Sequence, residues 1–185
     1  MRPCANSLKP VLAAVLAVLL GACSTPEASH GISIEQLSIE AGAEHLAIHM
    51  VQRLELSREA QEALRHGVPL NISVQFEVRA MDTRGPLAQA RRDYEIRYLP
   101  LSQHYQLTAG DQVRTYPRLR HVVAALERLD TEVQTTALAA GPYTLRARVF
   151  LDRASLPAPM QLPAVLSAQW RHDSLWSTWP FAISA

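Results

Sequence analysis

Val68, Leu70, Ile72, Val74, Phe76, Val78 and Ala80 alternate without a break with Pro69, Asn71, Ser73, Gln75, Glu77 and Arg79. A period of two sustained over that length predicts a strand with one dry face. Leu46, Ile48, Met50, Leu54 and Leu56 hold one side of an earlier run, against His45, His49, Arg53 and Glu55 on the other. Before it, Ile32 and Ile34 face one way and Leu37 and Ile39 the other, a slip of one position that predicts a bulge. With Gly42 in the turn at 41–44, the two runs predict a hairpin.

The remaining pattern alternates between short strands and two helices. Ser57 to His66 predicts a helix capped by Ser57, with Glu59 in its first turn and Gly67 just beyond its end. A turn at Asp82 to Pro86 leads to Tyr94, Ile96 and Tyr98 on one face of a strand. Tyr105 and Leu107 then pair with Val113 across Ala109-Gly110-Asp111. After Pro117, the spacing of Leu119, Val122, Val123, Leu126 and Leu129 predicts a second helix lying on a sheet. Tyr143, Leu145, Ala147, Val149 and Leu151 give another alternating strand. Pro157, Pro159 and Pro163 remove three donors and predict a stiff extended connection, before a last strand or two at Leu166 to Trp170 and Trp176 to Ile183. The expected fold class is mainly β: an antiparallel two-sheet sandwich of about seven or eight strands with two short covering helices.

The beginning of the chain gives an address. Arg2 and Lys9 precede an uninterrupted apolar run from Val11 to Leu20, and Leu20-Gly21-Ala22-Cys23 ends it as the box of a bacterial lipoprotein does. A bilayer-spanning helix needs roughly 20 apolar residues, so a permanent transmembrane anchor is not expected from this run. The expected division is a lipoprotein signal peptide over 1–22, a lipid-bearing Cys23 with a tether over 23–31, and a single β-rich domain over 32–185. The alternative is an ordinary signal peptide and a soluble periplasmic product. Ser24 stands where Asp would signal retention at the inner membrane, so the expected location is the outer membrane, facing the periplasm. Eight steps from Cys23 to Gly31, at no more than ~3.5 Å each, keep the domain within about 28 Å of its anchor.

Composition then removes several chemistries. The 162 residues after Cys23 contain no cysteine and no lysine, so disulfides, thiolate metal sites and Schiff-base chemistry are excluded there. Sixteen arginines against 17 acidic residues in that part lack the basic excess that nucleic acid demands.

Together these residues resemble a known family. The features are the helix-like Glu59 to Gly67 leading into the strand to Arg79, Tyr94-x-Ile96-x-Tyr98, and the Tyr116 to Leu129 helix. Leu151-Asp152 followed by Leu156-Pro157-x-Pro159, and Trp170 with Ser174, Trp176 and Trp179, complete them. In this order they resemble the proteobacterial domain of unknown function 4390, over nearly all of the chain beyond Cys23. The resemblance implies an exported single-domain protein with no assigned catalytic residue. It also implies the extracytoplasmic part of a membrane histidine kinase as a partner.

Five positions stand out as a ligand or partner surface: Trp170, Trp176, Trp179, Arg146 and Arg148. The tryptophans fall within the final sixteen residues, where they line an apolar groove or, more simply, close the core beneath the last strand. Arg146 and Arg148 share a strand face with Arg91, Arg92 and Arg97 as prospective neighbours. They form an anion site, or a solvated face paired with Glu77, Asp93 and Glu95. His45 and His49 on one strand lie ~13 Å apart, too far for one metal ion. His172, Asp173 and Ser174 name a hydrolytic triad, but adjacent residues do not ordinarily converge on one centre. No catalytic residue, metal or cofactor is therefore expected. The expected function is a non-catalytic envelope lipoprotein that binds or scaffolds an unknown envelope protein, held to the membrane by its lipid. The alternatives are a carrier or sensor of a small apolar ligand between the sheets and, third, a hydrolase.

Overall fold

Two antiparallel sheets face each other because the alternating strands each have one apolar side to hide. The computed structural model describes residues 31–42, 44–80 and 84–184. The leader, Cys23, the tether up to His30 and part of the turn at 82–86 lie outside the described residues. The smaller sheet has the order β1 (Gly31–Ala41), β2 (His45–Glu55), β7 (Arg128–Gln134). The larger runs β6 (Gln112–Tyr116), β5 (His104–Ala109), β4 (Ala88–Leu99), β3 (Leu70–Ala80), β8 (Gly141–Leu151), β9 (Ser177–Ile183). Three helices, α1 (Arg58–Arg65), α2 (Leu119–Leu126) and α3 (Ala158–Leu166), complete the described elements. The chain is mainly β and sandwich-like.

The core lies between the sheets. Leu70, Ile72, Val74, Phe76 and Val78 of β3 and Leu145, Ala147 and Val149 of β8 meet Leu46, Ile48, Met50 and Leu54 of β2. The bulge occurs where the slip predicts it: the β1–β2 register shifts between Ile34 and Gln36, so Ile34 sits opposite Gln52 and Leu37 opposite Met50. One extra residue thus turns all four apolar positions of β1 to the same side. The Ser57 hydroxyl accepts from the Ala60 N–H at 3.2 Å and starts α1. Gly67, at φ +88°, ends it in the left-handed region that glycine adopts without strain. Gly110, at φ +55°, serves the two-residue turn between β5 and β6 in the same way.

Three expectations are corrected. The second helix stops at Leu126 instead of reaching Leu129, because Gln52 captures its end: the Gln52 Nε2 donates to the Leu126 carbonyl at 2.6 Å and its N–H to the Glu127 carbonyl at 2.9 Å. Leu129 and Val133 then belong to β7, opposite Met50 and Leu46. The proline-rich stretch is the helix α3, not an extended connection. Pro157 precedes the helix and Pro159 falls in its first turn, where no N–H is needed; Pro163 forfeits one bond. Gln161 ties the helix to the preceding turn by donating to the Ala154 and Leu156 carbonyls, and Arg153 reaches the Ala164 and Val165 carbonyls at the other end. Finally, 166–170 is no strand: α3 gives way to a 3-10 turn at Ala168–Trp170. The described elements therefore number nine strands and three helices, against the seven or eight strands and two helices expected.

Candidate functional site

Six strands cannot be covered by three, so the larger sheet extends past the smaller one on the β4–β5–β6 side. α2 packs over part of that overhang, against β2, β5, β6 and β7. Between them opens a cleft of about 780 Å³, lined from one side by β4, β5 and β6 and from the other by α2 and β7. Arg92, Tyr94, Leu107 and Arg114 form its floor, and Arg128 and Asp130 lie on the opposite wall. The floor positions share the inward parity of their strands: Arg92 is opposite Val74, Tyr94 opposite Ile72, and Arg114 opposite Leu107.

The cleft is electrostatically open to an anion. Arg92 donates to the Glu132 carbonyl at 2.9 Å, a neutral tie across the cleft, and Arg114 donates to the Gln112 side chain at 3.3 Å. The Arg128 side chain makes no hydrogen bond or ion pair among the described residues. Asp130 is engaged by His49 at 2.7 Å, and that hydrogen bond, with the nearby acidic charges, raises the His49 pKa. Arg92, Arg114 and Arg128 thus line the cleft without an ion pair among the described residues, while its two aspartates are engaged elsewhere, Asp93 by Arg91 and Asp130 by His49. Burial holds the Tyr94 phenol above its ordinary range, against the opposing pull of Arg92, so it stays a neutral donor. Beside the cleft, β6 is the edge strand of the larger sheet among the described residues, and Gln112, Val113, Arg114 and Thr115 are all exposed.

The residues singled out in the sequence lie elsewhere. Arg146 and Arg148 project from the outer face of β8. Arg146 bonds Glu77 at 3.1 Å and lies over the Trp176 ring at 4.6 Å; Arg148 grips Asp173 with two nitrogens and lies over Phe150 at 4.8 Å. Arg91 joins this face, donating to Asp93, Asp152 and Ser73. Arg97 pairs with Glu95, whereas Arg92 points to the other side of the sheet, into the cleft. The tryptophans are spread out. Trp170 is buried in the core, Trp179 stands on the core side of β9 opposite Leu145, and Trp176 lies on the outer face. His172, Asp173 and Ser174 each turn to a different partner: the His172 Nε2 accepts the Ser57 N–H at 2.9 Å, Asp173 holds Arg148, and the Ser174 hydroxyl accepts the Val149 N–H at 2.9 Å. His45 and His49 lie four residues apart on β2, with His49 committed to Asp130.

Asp173 gives this outer face a pH dependence. Burial pushes its carboxyl upward, but the hydrogen bonds from Arg148 and the Leu175 N–H, and the Arg148 and Arg153 charges, hold it below the usual range. A lowered folded-state pKa adds stability above the unfolded value of about 3.9, and that contribution disappears as the pH falls through the folded value. Asp173→Asn is therefore expected to cost on the order of 1–2 kcal/mol at neutral pH. In urea titrations at a series of pH values, the gap to the natural protein should close on acidification.

The cleft escapes a sequence reading because Arg92 looks like one more surface arginine. Its signal is parity: it continues the inward series of Tyr94, Ile96 and Tyr98, where an apolar side chain belongs. The family model for the domain of unknown function 4390 matches residues 29–180. The chain belongs to this family. The DUF4390 match takes in every strand that lines the cleft, as well as α3 and the Arg146–Arg148 face. Comparison with curated proteins gives no match, nor does comparison with solved structures.

Proposed function

We propose that this DUF4390 protein is a non-catalytic, lipid-anchored envelope protein that binds another protein close to the membrane. Its cleft would receive an acidic, extended segment of that partner. The observation that carries this reading is the set of three arginines, Arg92, Arg114 and Arg128, that line an open cleft and form no ion pair among the described residues. Guanidinium groups favour carboxylates through paired, charge-assisted hydrogen bonds. The edge strand β6 offers main-chain donors and acceptors alongside them, as strand addition requires. The lipoprotein box ending at Cys23 supports the membrane setting. A carrier of small apolar molecules is less well supported, since the walls of the cleft are charged and the tryptophans do not gather around it.

Chemical crosslinking in intact cells, followed by capture from gently solubilised envelope and mass spectrometry, tests the proposal. One reproducible protein is expected with the natural chain. With Arg114→Glu and Arg128→Glu together, its recovery should fall on the order of tenfold or more, as loss of two charge-assisted contacts implies. Both positions are exposed, so the thermal midpoint should hold within a few degrees. Equal recovery with the charge-reversed chain, or no reproducible partner at native abundance, overturns it.

A further inference from the structure

α3 contains no ionisable residue, and it turns apolar side chains outward. Leu162, Val165 and Leu166, at i, i+3 and i+4, form one ridge and are 69%, 54% and 76% exposed. Only Ala164 of this helix is buried. A water-facing helix normally reverses that pattern.

The ridge is not isolated. Leu101 sits in the β4–β5 turn beyond the Leu99–His104 pair, at the end of the larger sheet where β3 begins and β8 stops. Leu175 follows Asp173, which bridges to Phe150 next to that same end of β8. Of the large exposed apolar residues described, only Leu87 and Val113 lie elsewhere. Arg153 and Arg171 flank α3, and Arg153 is turned onto its last carbonyls.

The chain joins the fold at this end too. Gly31, where β1 starts, pairs with Glu55, and two residues later the Ser57 N–H binds His172, just beyond the turn that follows α3. A lipid on Cys23, within about 28 Å of Gly31, therefore brings this end of the sandwich, and not the opposite one, to the bilayer.

We infer that α3 is a membrane-contacting element: its Leu162–Val165–Leu166 ridge lies in the lipid headgroup–acyl boundary, with Arg153 and Arg171 at headgroup level. The occupant is a lipid surface. At nine residues, about 13 Å, the helix is too short to span a bilayer, and its outward apolar ridge, flanked by Arg153 and Arg171, suits it to lie at the surface. Arg153 also reaches the Ala164 and Val165 carbonyls at the end of the helix, so these do not face the lipid without a donor. This placement leaves the cleft, on the β4–β6 side, open to the periplasm. The inference rests on the reading of Cys23 as the lipid-bearing residue.

The test replaces Leu162, Leu166 or, as a control, Val113 by a photoreactive phenylalanine analogue in the full-length lipoprotein. The purified products are reconstituted in vesicles of phosphatidylethanolamine and phosphatidylglycerol and irradiated, and phospholipid adducts are read by mass. Adducts at 162 and 166 are expected to exceed those at 113 by on the order of tenfold, the contrast between an interfacial and a solvated position. Equal adducts at the three positions, or adducts to polypeptide in place of lipid, overturn the inference. Intact mass of the same samples reads the anchor separately. A product without acyl chains defeats the Cys23 reading alone; a maleimide-phospholipid coupled to that thiol then supplies the anchor, and the same ratio decides α3.

Discussion

With Cys23→Ser, the protein is expected to lose its acyl chains and, once freed of its leader, to leave the membrane fraction almost completely. The natural chain should sediment with membranes and carry the mass of its acyl chains. The size of the effect follows from the additivity of apolar transfer, about 0.8 kcal/mol per buried CH₂. A single myristoyl chain gives only marginal binding, whereas a diacylglyceryl group plus an acylated amino terminus makes release negligible. Serine lacks the thiolate that accepts the diacylglyceryl group, so substitution removes the whole anchor. One complication is that an uncleaved leader holds a protein at the inner membrane. Replacing residues 1–22 of the Cys23→Ser chain with an ordinary secretory leader removes that route, and this second chain should appear in the soluble periplasmic extract. Two outcomes would reverse the reading: a natural product without fatty chains in the soluble extract, or a Cys23→Ser chain that sediments as before even behind the secretory leader. The α3 ridge alone is too short to hold the protein in the membrane, so it does not imitate the anchor.

The fold is legible in the sequence where one side of an element alternates or steps cleanly, and obscure where two periods fit the same residues. β3 and β8 are readable because each presents an unbroken apolar series, buried from Leu70 to Val78 in one and from Tyr143 to Leu151 in the other. The β1 bulge is legible for the same reason, since a slip in parity has few other causes. β7 is hidden: Leu126 and Leu129 satisfy helical spacing, and Leu129 and Val133 satisfy a strand. The feature that separates them is the capture of the Leu126 carbonyl by Gln52, 74 residues away, a tertiary contact that no local pattern contains. The prolines of α3 do exclude a sheet, as their missing donors require. They do not require an extended segment, because a first-turn proline is favourable to a helix. For the site, the outer-face pairing of Arg146 with Glu77 is legible from strand parity. The cleft is not, because it depends on unequal sheet widths and on which strands pair.

Phe76→Ala is expected to cost about 4–5 kcal/mol, the upper part of the range for truncating a buried aromatic ring. Phe76 is 1% exposed at the middle of β3, and its partners on both sides are small: Ala90 on β4 and Ala147 on β8. The ring occupies the space that these two alanines leave beneath the smaller sheet. Truncation would set three alanines in a row across the core face, and the cavity is flanked by paired strands that cannot close in. A site with one large neighbour would relax further and lose less. Urea unfolding checks this: the midpoint should fall with little change in slope, as for a loss of stability without a change in exposed surface. The neighbours make a second comparison decisive. Ala147→Leu alone should destabilise by about 1–3 kcal/mol through overpacking, yet in the Phe76→Ala background it should recover about 1–2 kcal/mol by filling the void. Additive losses in the double variant, or a Phe76→Ala cost under about 1 kcal/mol, would show that the ring does not fill this layer. The same layer bears on binding, because Ala90 lies two residues before Arg92 on β4. A void beneath Ala90 loosens the strand that aims Arg92 across the cleft, so partner recovery should fall with Phe76→Ala and return in part with Ala147→Leu.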